Sequence, residues 1–298
     1  MRPWARHAPM PIVMRWTAVL ALASLSCGAA SPSPQPVATT PGAPPAPPAT
    51  SAASSAAPAL AAPRTGIIGT MAHVPEATFK MGSGSGSPAE MPVHSAHVAP
   101  FDIDRTEVTV AQYSQCAHAG ACVAAPATVQ WPDVTPEEQH LSRGECNQDR
   151  ADRQDHAVNC VDWAMADAFC RWAGKRLPTE EEWEYAACQG DCDAAMKSKV
   201  GRAIARGASR LPDSAPVASG SPGPFGLYDM AGNVWEWTAS AFCPYDHQGC
   251  GDHRRVVRGG SWSVVDFLFV RLSDRSSGDP ATRNTNVGFR CARSSDSR

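Results

Sequence analysis

The residues by themselves predict a disulfide-rich domain of short strands and short helices set among long loops. Three observations lead there. Eleven cysteines in 298 residues are many for a cytosolic protein and point to an oxidising compartment. The hydrophobic pattern comes in brief runs whose period changes, from alternation around Phe79 and Met81 to spacings of three and four across Trp163–Ala173. The first 65 residues or so carry no such pattern, which leaves about 230, ample for one core. The net charge of −3 comes with no basic patch interleaved with aromatics, so nothing points to nucleic acid.

Residues 1–30 read as an export signal. Arg2, Arg6 and Arg15 are cationic, and Trp16–Leu25 is an apolar run too short for an ordinary membrane span. Either Met1 or Met14 can serve as the start. Leu25-Ser26-Cys27-Gly28 resembles a bacterial lipobox, although Ser24 stands where an apolar residue is usual. On that reading Cys27 is the lipidated N-terminus, and the protein meets the membrane of the cell envelope through lipid alone. The plain alternative is signal cleavage after Ala30 and secretion. Residues 31–65 are nearly all Pro, Ala, Ser and Thr. They cannot bury enough apolar surface to offset their ordering entropy, and are expected to form a disordered linker. The folded domain is expected over 66–298.

Phe79 and Met81 alternate with polar neighbours, as in a short strand. Gly82–Pro88 has the look of a phosphate loop but lacks its Lys-Ser/Thr ending. His94 and His97 lie among valines and alanines without an acid or cysteine beside them, which favours packing or surface roles over metal binding. Val98–Val108 reads as another strand region. Thr109 is placed to cap a helix, with Gln112 as its capping-box partner. The stretch 131–156, with Asp149-Arg150 and Asp152-Arg153, reads as a solvated loop. Asp162–Ala173 is the clearest helix, and Gly174 is its expected stop. Thr179 then caps a second helix with Glu182. Glu180 and Glu181 suit its N-terminal dipole, which accounts for three adjacent glutamates without catalysis.

The stretch Gly226–Trp237 concentrates three aromatics, two glycines, two acids and an asparagine. Asp229, Asn233 and Glu236 supply hard oxygens, a composition that suits Ca²⁺ better than a soft metal. The competing account is a tryptophan-rich core turn whose acids bond nearby amides.

Gly226-Leu227-Tyr228-Asp229-Met230-Ala231-Gly232-Asn233-Val234-Trp235-Glu236-Trp237 resembles the signature of the formylglycine-generating-enzyme, or sulfatase-modifying-factor, family. Other segments agree in order: Phe79-Lys80-Met81-Gly82, Pro100-Phe101-Asp102-Ile103-Asp104, Arg176-Leu177-Pro178-Thr179-Glu180-Glu181-Glu182-Trp183, Arg258-Gly259-Gly260-Ser261-Trp262 and Gly288-Phe289-Arg290-Cys291-Ala292. The resemblance covers roughly residues 70–293. It implies an α+β variant of the C-type-lectin fold with little regular secondary structure. It implies calcium ligands at Asp229 and Glu236 through side chains and at Gly232 and Val234 through carbonyls. A further calcium site of the family, in the region 189–225, has no recognisable ligands here. Motif positions suggest a ligand cleft at Trp235, Ser261, Trp262 and Arg290.

The oxidising members of the family hold copper(I) on two cysteines soon after the Gly-Gly-Ser segment, because a soft ion needs thiolates. Here those positions fall at about Val264 and Phe269, and Val264–Val270 contains no cysteine and reads as a buried strand. Copper is therefore not expected, and no catalytic residue is assigned. The histidine pattern of the family's iron-dependent branch is also missing. Local spacing favours disulfides Cys116–Cys122, Cys146–Cys160 and Cys243–Cys250. The last is weighed against a zinc site with Asp246, His247, Asp252 and His253, and its spacing and compartment favour the disulfide. The resemblance implies Cys170–Cys291, and Cys188–Cys192 completes the set. The expectation is a non-catalytic binding or accessory module for a peptide, protein or saccharide. The alternative is a divergent oxidoreductase or protein-modifying enzyme using an unrecognised metal or cysteine pair.

Overall fold

The computed structural model describes residues 69–142, 144–197, 213–246, 253–263 and 271–295. The chain divides into two units, Met1–Leu60 and Ala61–Arg298, and the described residues lie in the second. The export signal, Cys27, the linker, His247, Cys250, Asp252, Val264 and Phe269 lie outside the described residues.

The N-terminal part is strand-rich: β1 (Met71–Val74), β2 (Ala77–Met81), β3 (His94–Val98) and β4 (Phe101–Asp104). The alternation at Phe79 and Met81 buries one face of β2, which pairs antiparallel with β3. The strand region expected over Val98–Val108 is divided: β3 ends at Val98, and β4 begins after Pro100. Proline has no N–H to continue a ladder.

Helix α1 (Val110–His118) begins with the capping box of Thr109 and Gln112. A second capping box, Thr135 with Glu138, starts α2 (Pro136–Leu141). The expectation of a solvated loop over 131–156 is corrected here, because the local signal Thr135-Pro136 opens a helix within it. Arg153 is also drawn inward. It bonds Asp213 (2.7 Å) and lies 3.3 Å from both Ser214 Oγ and the ring of buried His156.

Helix α3 (Trp163–Trp172) is capped by Asp162, and its Ala166, Phe169 and Cys170 are buried. Helix α4 (Glu180–Cys188) begins with the Thr179–Glu182 box, and α5 (Cys192–Lys197) follows. The C-terminal half adds β5 (Trp235–Ala241), β6 (Arg255–Arg258), β7 (Arg275–Gly278), β8 (Val287–Gly288) and β9 (Ala292–Ser294).

Among the described residues the strands form three sheets, ordered β1-β4-β9, β2-β3 and β7-β6-β5-β8, with β5–β8 the parallel pair. One core gathers Phe79, Met81, Phe101, Ile103 and Trp183. Another gathers Tyr113, Phe169, Trp237 and Phe289.

Disulfides join Cys116–Cys122, Cys146–Cys160, Cys170–Cys291 and Cys188–Cys192. Cys243 is also disulfide-bonded, while its expected partner lies outside the described residues. Disulfides in this number mark a non-cytoplasmic, oxidising compartment. Among the described residues no helix is long and apolar enough to cross a membrane.

A buried ionic network lies beneath α4. Arg258, fully buried, bonds Glu184 and lies 3.3 Å from Glu180. Arg275 makes a fork onto Glu180 at 2.7 and 2.8 Å, and the Tyr245 hydroxyl reaches Glu180 at 3.1 Å. Glu180 is therefore more than a dipole residue at a helix start: it carries charge for two arginines from other elements. Glu182, besides closing the capping box, forms a bidentate pair with Arg176.

A smaller cluster has a pH consequence. Buried Glu90 accepts bonds from Ser87 N (2.8 Å) and Arg271, and Arg271 lies 3.9 Å from Asp274. Burial, then the charge of Glu90, pushes the Asp274 carboxyl up from 3.8 to about 6. A carboxyl raised in the folded state gives stability that is complete below the unfolded value and lost as pH rises through the folded one. Asp274→Asn is expected to flatten the stability change between about pH 4 and 6. At about pH 7.5 it should be neutral or stabilising by roughly 1–2 kcal/mol. Urea unfolding at the two ends of that window checks it; an unaltered pH profile would remove Asp274 as its source.

Candidate functional site

The motif at 226–237 is a winding turn that ends in β5. Gly226, Asp229, Gly232 and Asn233 all have left-handed backbone angles, with φ of 70°, 58°, 93° and 55°. Asp and Asn tolerate that region better than other non-glycine residues, so the composition fits the path. The turn ties distant segments together. Gly232 N donates to Gly259 O (2.8 Å), Trp262 N to Asn233 O (2.8 Å), and Trp235 N to Asn286 O (2.8 Å). Asn233 Oδ1 accepts from Ala215 N (2.9 Å), and Asp229 Oδ2 from Ala218 N (2.6 Å).

Trp235 and Trp262 are half-buried against different clusters, and Ser261 is fully buried, which corrects its assignment to a cleft. Ser261 Oγ lies 2.8 Å from Ser263 Oγ, which accepts from Asn286 Nδ2 at 3.0 Å. Trp262 packs against Ala157, Val217 and Val234, and its indole N–H has no partner among the described residues. Ser263 and Asn286 were not singled out from sequence; a serine and an asparagine in loops carry no local signal.

Arg290 is placed elsewhere, which corrects its assignment to the cleft. It is fully buried and grips Glu236 through Nε–Oε2 and Nη2–Oε1, both 2.7 Å. Its remaining donors reach the carbonyls of Asp104 (3.1 Å) and Tyr228 (2.9 Å). Glu236 Oε2 also accepts from Trp183 Nε1 at 2.7 Å. Glu236, expected as a calcium ligand, is thus the counter-charge of an arginine.

A carboxylate absent from the sequence assignment adjoins the motif. Glu107, 1% exposed, accepts from Asn233 Nδ2 at 3.0 Å through Oε1. Its Oε2 is buried without a hydrogen-bond partner. Burial, then the Asp229 charge, raises Glu107 well above the usual carboxylate range, and burial also raises Asp229. Among the described residues no three His, Cys, Asp or Glu side chains gather into a metal-holding group. The carbonyls of Gly232 and Val234 accept no backbone bond in the turns and loops among the described residues. All-oxygen donors with an orphaned carboxylate oxygen fit a hard cation such as Ca²⁺.

His94 and His97 do not form a pair. His94 packs on the Tyr245 ring at 4.4 Å, and His97 sits 3.3 Å from Thr78 Oγ1 on the exposed face. Asp246 and His253 are both exposed, while the other members of the weighed zinc set lie outside the described residues.

A family profile described as sulfatase-modifying factor enzyme 1-like domain matches residues 57–295. The chain belongs to this family. It is similar to the formylglycine-generating enzyme of Streptomyces coelicolor, 34% identical over 280 residues, covering 75% of this chain and 88% of that one. It is similar to inactive C-alpha-formylglycine-generating enzyme 2 of Bos taurus, 30% identical over 272 residues, covering 74% and 87%. Among solved structures it is similar to PvdO from Pseudomonas aeruginosa, with a TM-score of 0.54 and 25% identity, covering 76% and 94%. The formylglycine-generating-enzyme-family domain therefore has the expected α+β, lectin-like architecture of short elements and disulfides.

Proposed function

We propose that this formylglycine-generating-enzyme-family protein is a non-catalytic binding or accessory module. It is exported to the bacterial cell envelope and anchored by lipid on Cys27. One observation carries the reading. No cysteine lies between Ser261 and Arg271, where the oxidising members need two, and all nine described cysteines are disulfide-bonded. A copper(I)-thiolate centre needs thiolates, and fold alone does not supply chemistry. The mammalian relative bearing the word inactive in its name supports the same reading, since the family scaffold there is separated from its activity by name. The Cys188–Cys192 pair does not favour an oxidoreductase, because both sulfurs belong to nearly buried residues, 6% and 3% exposed. The ligand face is the side carrying Trp235, Trp262, Ser263 and Asn286. Its aromatic and amide-hydroxyl character suits a peptide or saccharide. Calcium at the adjoining turn would brace that face from behind, through the residues that hold Asn233 and Trp235.

The test is thiol alkylation of the exported protein in denaturant without reductant, read by intact mass. No labelled cysteine is expected. The same sample with copper(I), oxygen and a cysteine peptide is expected to form no aldehyde. Two labelled cysteines together with aldehyde formation would overturn the proposal in favour of a divergent oxidoreductase.

A further inference from the structure

One strand of the domain is left open along its side. Among the described residues β2 pairs with β3 and with no other strand. Its far edge therefore carries N–H and C=O groups, at every second residue, that have no ladder partner. No turn or loop bond among the described residues reaches the backbone of 77–80 either. A cleft of about 440 Å³ lies against this strand and touches four consecutive residues, 77–80. Side chains alternate between the two faces of a strand, so a cleft lying over one face would meet every second residue. Of β3 it meets Ser95 alone. A cleft that follows β2 through both parities and scarcely touches β3 runs past the open edge.

The opposite wall is Tyr185 and the turn 189–191, which joins α4 to α5. That wall is fixed in place. The Cys188–Cys192 disulfide closes the turn, and Gln189 and Gly190 take left-handed backbone angles, with φ of 55° and 96°. Gly190 sits so close to β2 that a Cβ there would meet the Phe79 Cβ at 2.8 Å. The Tyr185 ring packs on Phe79 and Phe225, with centroids 5.2 and 6.0 Å away. A cleft formed in advance spares a ligand the cost of ordering it. The charges that line it are unequal in their engagement. Asp191 already accepts from Ala194 N at 2.8 Å, at the start of α5. Lys80 is exposed and forms no ion pair among the described residues.

We propose that the open edge of β2 is a docking site for an extended peptide segment of a partner protein, which adds as a strand along 77–80 and sets an acidic side chain against Lys80. The main chain of an edge strand is matched by another main chain, whose donors and acceptors repeat at the same spacing. Four residues of strand give a length of roughly 13 Å, at about 3.3 Å per residue, enough for a short linear motif. A lysine on an edge also guards against unwanted pairing. An acid-bearing segment neutralises that lysine, and a neutral or basic segment does not, so the guard becomes a selector. This site is separate from the face carrying Trp235 and Trp262, none of whose residues lines the cleft.

The experiment uses the full chain with its disulfides intact, as the target for selection from a displayed library of random seven-residue peptides. Enriched peptides are expected to carry Asp or Glu. One of them is synthesised with a fluorophore and titrated by anisotropy. Lys80→Glu changes an exposed residue and should keep the wild-type Tm. It should bind this peptide at least about tenfold more weakly, and the same peptide with its acid changed to lysine should regain affinity for that variant. N-methylation of every backbone amide of the peptide should abolish binding, because strand addition needs those donors. Hydrogen exchange over 77–81 should slow when the unmodified peptide is bound. A selection that enriches nothing, or peptides that bind Lys80→Glu and wild type alike, would overturn the proposal. Binding that survives full N-methylation would overturn strand addition and assign the cleft to a ligand held by side chains.

Discussion

Arg258→Met is expected to lower the folding free energy by about 3–5 kcal/mol, because it leaves a carboxylate buried without its partner. Arg258, the last residue of β6, is fully enclosed, and Glu184 of α4 is equally enclosed. Without the guanidinium, Glu184 keeps only the Gly82 N–H, at 2.7 Å. Glu180 suffers less, since Arg275 still holds both of its oxygens. The loss should therefore depend on Glu184, and Glu184→Leu added to Arg258→Met should recover much of it. Burial already raises the Glu184 carboxyl, and removing the opposing arginine raises it further. A raised carboxyl favours the folded state as pH falls, so the variant's deficit should shrink towards acid. Equilibrium urea unfolding at several pH values reads this directly. A double variant as unstable as the single one would show that the loss came from Arg258 packing on Trp183, whose ring centroid lies 5.3 Å from the guanidinium carbon.

Removing the Cys170–Cys291 disulfide by paired alanine substitution is expected to be comparably damaging. This bridge closes a separation of 121 residues and ties α3 to the segment that leads into β9. The chain-entropy account assigns such a loop about 5 kcal/mol, against about 2 kcal/mol for the separation of 6 at Cys116–Cys122. The two paired variants should differ in unfolding midpoint under non-reducing conditions, in that order. Equal losses would mean that unfolded-chain entropy is not what these bridges supply. Cys170 and Cys291 are both fully buried, so a share of any loss will be the removed sulfur volume at each site.

Much of the helix placement was legible because capping is local. Thr109 with Gln112, and Thr179 with Glu182, are three residues apart, and each pair forms the reciprocal bonds that its spacing allows. Thr135 with Glu138 carries the same signal, inside a stretch whose mixed charges read as a solvated loop. The motif order was equally legible. It led to the family, and with it to the lectin-like architecture and the long-range disulfide, which no local spacing would have revealed.

The sequence by itself determined the oxidising compartment, the family and the absence of cysteine between Ser261 and Arg271. Each depends on which residues are present: cysteines in number, ordered motifs, and an apolar run with Val264 and Phe269 after the Gly-Gly-Ser segment. Only the tertiary structure decided which charges face one another. Arg290 shares a motif with residues expected at a cleft, yet the fold turns it inward onto Glu236, 54 positions away. Glu107 gave no sign of its contact with the motif until folding brought it 126 positions along the chain to Asn233. Burial removes water's screening, so partners distant in sequence set whether a carboxylate is a counter-ion, a proton carrier or a cation ligand.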